Sequence, residues 1–142
     1  MKLFAYFVLL LLLAACGDSP LPIIVSASCS IDAPPANTVL PAARRFYLAG
    51  WAYEAKSGSV SEEYQIHFVS TDRKLSKVLS VRPNIKRPDV AQAFNDKVAE
   101  SSGFNLDVPA NTLAPGKYEI VISQNLKNAI FSCGNKFLYE VK

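Results

Sequence analysis

"EYQIHFV", residues 63–69, alternates apolar and polar side chains with a period of two, so that Tyr64, Ile66 and Phe68 share one face of an extended chain while Gln65 and His67 share the other. The same rhythm recurs outward along the chain. "GFNLDVP" turns Phe104, Leu106 and Val108 inward and Asn105 and Asp107 outward, "GKYEIVIS" offers Tyr118, Ile120 and Ile122, and "KFLYEVK" offers Phe137, Tyr139 and Val141. Pro, Gly, Asn and Ser interrupt the pattern every 8 to 12 residues or so, the spacing of an all-β sandwich. "RRFYLAGWAYE", residues 44–54, is apolar on both faces, which predicts a central strand covered on both sides or lying beneath a loop. Further strands at 24–31, 77–82 and 128–133 bring the expected total to seven or eight.

"RPDVAQAFNDKVAESSG", residues 87–103, departs from that pattern, with helix formers following a proline placed where a first helical turn tolerates it. It predicts one short helical turn near residues 89–94 that crosses between the sheets and packs Val90 and Phe94, four apart, onto the sandwich.

The N-terminus carries a different signal. Leu3 to Ala15 is an uncharged stretch behind Lys2, too short for a bilayer-spanning helix of roughly 20 residues and built like a secretory leader. Its end, Leu13-Ala14-Ala15-Cys16, resembles the lipobox of bacterial lipoproteins. That resemblance implies a cleaved signal peptide at 1–15, a diacylglyceryl group on Cys16 with palmitate-type acyl chains, and a short tether at 16–22 leading to a single domain at 23–142. Several acyl chains hold stably where one holds only reversibly. Gly17, where the sorting pattern places aspartate for inner-membrane retention, points to the outer membrane of the cell envelope; Asp18 stands one place later. The competing reading is an ordinary secretory leader and a free thiol.

Removing residues 1–15 leaves 127 of 142 residues, enough for one domain with a proper core, and lowers the formal charge from +3 to about +2. So mild a charge does not call for a nucleic-acid partner. Cys29 and Cys133 remain as an even pair in an exported chain, which predicts a disulfide fastening the first strand to the last. A metal or redox site would need a tighter cluster than two distant cysteines and one histidine supply, so neither a metal nor another cofactor is expected.

Taken in order, "CSIDAPPANTVLPAARRFYLAGWAYE", "RPDVAQAF", "SSGFNLDV" and "LAPGKYEIVI" resemble an Ig-like β-sandwich module found as an accessory domain in bacterial cell-envelope proteins, some of which handle glycans. The resemblance spans residues 30–123 and implies a fold and a non-catalytic role. Its residues read structurally. Gly50 permits close backbone approach beside Trp51, whose indole covers a neighbouring face. Asp89 can accept N–H groups at the start of the helical turn and Arg87 can pair with a carboxylate in the same corner, contact with a ligand being the other use of the two. Gly103, before Phe104, is expected to supply a backbone angle that other residues avoid, and Pro115-Gly116 a type II turn. The chain departs from the pattern in its cysteine pair and in standing alone on a lipid.

Signs of chemistry are sparse. His67, the one imidazole, is expected as a solvated residue on the outside of a strand, serines lack a Gly-x-Ser-x-Gly setting, and no phosphate loop or dinucleotide fingerprint occurs. No catalytic residue is therefore assigned. Arg73, Lys74, Lys77, Arg82, Lys86 and Arg87 lie between Asp72 and Asp89 without an intervening acid; they make either a solvated edge or a patch for an anionic partner. The sequence thus predicts a lipid-anchored envelope protein that binds or scaffolds a protein or glycan. A small envelope hydrolase and a receptor-blocking surface-exclusion lipoprotein are the alternatives.

Overall fold

The structure is a computed structural model and describes residues 20–26 and 28–142. The expected signal peptide, Cys16 and most of the expected tether lie outside the described residues. Among the described residues ten strands are present: β1 (Ile23–Ser26), β2 (Cys29–Ala33), β3 (Val39–Leu40), β4 (Phe46–Ala52), β5 (Tyr64–Ser70), β6 (Ser76–Val81), β7 (Gly103–Val108), β8 (Gly116–Leu126), β9 (Ala129–Cys133) and β10 (Phe137–Val141). They form an all-β sandwich. The larger sheet runs β6-β5-β8, and the eleven-residue β8 then carries β10 and β3 along its first half and β9 and β1 along its second. The smaller sheet is β2-β4-β7.

The alternating faces close against each other as the period of two requires. Tyr64, Ile66 and Phe68 of β5, Ile120 and Ile122 of β8, and Leu48, Phe104 and Val108 of the smaller sheet are all buried in one core. Tyr64 also donates its hydroxyl to the carbonyls of Ala52 and Ser102, both at 2.9 Å, which ties the larger sheet to the smaller one. Burial raises the pKa of that phenol, so it remains a donor across the ordinary pH range.

The disulfide between Cys29 and Cys133 forms, with Cα atoms 6.0 Å apart, but it joins β2 of the smaller sheet to the end of β9 in the larger. It therefore staples sheet to sheet rather than first strand to last. The expected strand at 24–31 divides into β1 and β2, which enter different sheets, and the two-residue β3 adds a pairing parallel to β10.

A helix, α1 (Pro88–Phe94), and a 3₁₀ turn (Lys97–Ser101) connect β6 of the larger sheet to β7 of the smaller. Val90 and Ala99 are buried with Tyr53, and Phe94 meets Trp51 edge-on at 5.8 Å and Tyr53 at 5.1 Å. The Trp51 end of β4 is thus covered on both faces, its indole lying beneath α1, whereas Tyr47 of the same outer row is 56 % exposed. Gly50 faces inward, where a Cβ would fall 2.2 Å from the Ser30 carbonyl oxygen. Gly103 does not take a positive φ; its requirement is space, because a Cβ would lie 2.6 Å from the Ile85 oxygen and 2.7 Å from Arg87 Cγ. Gly116 is already the first residue of β8, so Pro115-Gly116 leads directly into a strand.

Candidate functional site

The outer face of the larger sheet is the candidate contact surface. Register sets Gln65 of β5 opposite Ser123 of β8, with Ser132 of β9 and Val25 of β1 continuing that row, while His67 sits opposite Val121 and Val78. Ile23, Val69, Val121 and Ile130 surround the polar Gln65, His67, Ser123 and Ser132 in an open depression of about 310 Å³. Its floor contains one polar pair: His67 Nε2 lies 2.9 Å from Ser123 Oγ. His67 is therefore half-buried with a hydroxyl partner rather than solvated, and its burial holds the imidazole pKa below the usual histidine range.

A histidine beside a serine invites comparison with a nucleophile and its base, and the surroundings decide what the pair can do. Among the described residues His67 donates to no carboxylate, so no acid holds the ring from the side away from Ser123 or stabilises an imidazolium. Ser123 stands within β8, paired with β5 on one side and β9 on the other. In so flanked a strand the backbone N–H groups are committed to ladder bonds, and a developing oxyanion would meet no preorganised donors. Among the described residues, no three His, Cys, Asp or Glu side chains converge as a metal site, and no helix is long and apolar enough to cross a membrane.

The basic residues are spread along the edge strand β6 and beyond both of its ends. Arg73 and Lys74 lie in the β5–β6 turn, Lys77 within β6, and Arg82, Lys86 and Arg87 beyond its other end. Three have acidic partners: Lys74 with Asp72 at 3.8 Å, Lys86 with Glu100 at 3.6 Å, and Arg87 with Asp32 and Asp89 at 2.6 Å each. Lys77 pairs in register with the inward Phe68, so this edge strand carries a charge on its core-facing side, a device that discourages strand addition.

Arg87 forms a structural clamp. Its side chain is only 18 % exposed, with Nε and Nη2 donating to the two carboxylate oxygens of Asp89 and Nη1 to Asp32 across the chain. The guanidinium holds Asp89 down to a pKa of about 2, while its own pKa is raised by the Asp89 hydrogen bonds. Asp89 places both carboxylate oxygens on Arg87 with the Val90 N–H beside them at the start of α1, whose N-cap, Arg87, makes no capping bond; Asp96 caps the 3₁₀ turn that follows, accepting from the Val98 N–H at 2.9 Å, and also accepts from the Tyr53 hydroxyl. That second bond, with burial, lifts the Tyr53 phenol to about 12.

Sequence reading did not bring out the His67–Ser123 contact, the Asp32 arm of the clamp, or Glu54, a buried carboxylate whose Oε1 accepts from the Lys56 N–H at 3.0 Å. The first was open to recognition only as two outward positions on strands that turn out to be neighbours.

No protein family and no curated protein sequence matches the chain. Among solved structures, the chain is similar to an endo-β-1,4-mannanase from Thermotoga petrophila, with a TM-score of 0.50 and 8 % identity over 82 % of this chain and 20 % of that one. This chain therefore corresponds to about a fifth of the mannanase. A second similarity, at a TM-score of 0.43 and 15 % identity, is to fibronectin(III)-like modules of Clostridium thermocellum CbhA, covering 80 % of this chain and 94 % of that one. The likeness to the mannanase concerns the fold alone.

Proposed function

We propose that this chain is a lipid-anchored envelope protein of the outer membrane that acts by contact, binding or scaffolding a protein or glycan, and not by catalysis. The observation that carries the reading is the placement of its one imidazole and adjacent serine in an open, mostly apolar sheet face, with no acid bonded to the ring among the described residues and the flanking backbone donors engaged in ladders. The lipobox-like Leu13-Ala14-Ala15-Cys16 supplies the anchor. The His67–Ser123 pair is also the specific observation that favours a small hydrolase as the second reading.

A fluorophosphonate probe separates the two. The intact protein should remain unlabelled at Ser123, whereas labelling abolished by Ser123→Ala would establish a reactive nucleophile and sink the contact reading. For the anchor, Cys16→Ser should release the protein from membrane pellets and abolish radioactive palmitate incorporation; unchanged pelleting and labelling would refute it.

A further inference from the structure

The larger sheet ends on three strands, β6, β1 and β3, and the first two of these are treated differently. At β6 the inward-facing Lys77 guards the edge, while at β1 nothing comparable does: residues 19–31 contain no charged side chain. Leu21, Ile23, Ile24 and Val25 are 45, 69, 38 and 71 % exposed, a concentration of large apolar side chains within five consecutive residues. Ile23 and Val25 flank β9 at the margin of the depression, whose wall Ile130 continues. Exposed aliphatic surface of this kind marks a place that something covers.

The chain itself indicates what lies close by. Only residues 17–22 separate Cys16 from Ile23, a span of at most about 25 Å when fully extended. The last of them is pinned, because the Pro22 carbonyl accepts the Ile130 N–H at 2.9 Å. β1 is consequently the strand tied nearest to the lipid. The β8–β9 turn, where Leu126 pairs with Ala129, brings the exposed Lys127 to the same end of the sheet.

We infer that Leu21, Ile23 and Val25 rest in the headgroup and acyl boundary of the bilayer with Lys127 turned toward lipid phosphates, so that β1 is a membrane-seated foot and not a free edge. This rests on the lipoprotein reading of Cys16. The foot fixes the tilt of the sandwich and leaves the β5–β6 side of the face, with His67 between, to a partner. Short apolar segments beside a basic side chain bind this interface when an anchor already holds them close.

The test uses the full-length protein, isolated with its lipid and reconstituted in vesicles of phosphatidylethanolamine and phosphatidylglycerol containing brominated acyl chains. In a Trp51→Phe background, Ile23→Trp should be quenched at least about threefold more strongly than Leu138→Trp, a control on β10 of the same sheet, with its emission shifted to the blue. Equal, weak quenching of the two while mass spectrometry finds acylated Cys16 would overturn the foot and leave the anchor standing. An unacylated Cys16 would overturn both. Should Ile23→Asp convert a detergent-solubilised dimer to a monomer without changing vesicle quenching at Val25→Trp, the cover over β1 would be a second copy and the proposal would fall.

Discussion

Removing the inter-sheet disulfide tests the architecture most directly. Cys29 and Cys133 are 104 residues apart and both buried, at 4 and 8 % exposure, so replacing both with serine leaves the packing nearly unchanged while freeing the unfolded chain. On the loop-entropy account a closure of this length contributes about 4.7 kcal/mol, and measured values for native bridges cluster at about 2–4 kcal/mol. Roughly 120 described residues unfolding with about 2.1 cal/mol/K each lose about 0.25 kcal/mol of stability per degree near the midpoint. The double variant Cys29→Ser, Cys133→Ser should therefore melt about 8–19 °C below the wild type. Reduced wild-type protein should melt with the variant. Calorimetry of both, with and without reductant, reads the result directly. A fall of less than about 2 °C, or free-thiol titration finding two reactive sulfurs in native protein, would refute the claim that this bond staples the two sheets.

The other expectations follow from single contacts. Phe94→Ala should uncover Trp51, shifting the single-tryptophan emission to the red and lowering stability by about 3 kcal/mol, and an unshifted spectrum would remove α1 from its place over β4. Gly50→Ala drives a Cβ into the Ser30 carbonyl and should cost at least about 2 kcal/mol in denaturant unfolding; a silent substitution would contradict the β2–β4 approach. The folded-state pKa of Asp89 is depressed, to about 2, so its contribution is present above the unfolded carboxylate range near pH 4 and is lost as pH falls from there through about 2. Asp89→Asn should accordingly be less stable than wild type at pH 6, with the gap closing as pH falls through about 2, and a gap that does not narrow in acid would show that the loss comes from something other than the Arg87 pairing.

The fold was legible wherever one sheet face is wet and the other dry, because alternation then records burial directly, as at Tyr64, Ile66 and Phe68. It blurred where that contrast fails. Residues 24–31 are uncharged and apolar enough to read as one strand, and the break that sends β2 into the other sheet leaves no period to detect. Trp51 is ambiguous for the opposite reason, since α1 covers the outer face of β4 at that position and removes the contrast that would orient it. Gly103 was read through the commonest use of glycine, a positive φ; its actual constraint, the closeness of Ile85 and Arg87, depends on a chain crossing that local sequence does not encode.

The candidate site was less legible because it depends on register. His67 and Ser123 are 56 residues apart and meet because β5 pairs with β8 in one alignment, Gln65 opposite Ser123; a slip of one residue would turn one partner into the core. That same alignment limits what the pair can do. Catalysis by serine needs spare N–H groups around the reacting oxygen, and such donors come from turns, helix starts and strand ends where the backbone is unpaired. In the middle of a ladder they are already spent on neighbouring strands. The register that brings this histidine and serine together also engages the flanking N–H groups in ladders, and that engagement is what favours the proposed contact role over a hydrolase.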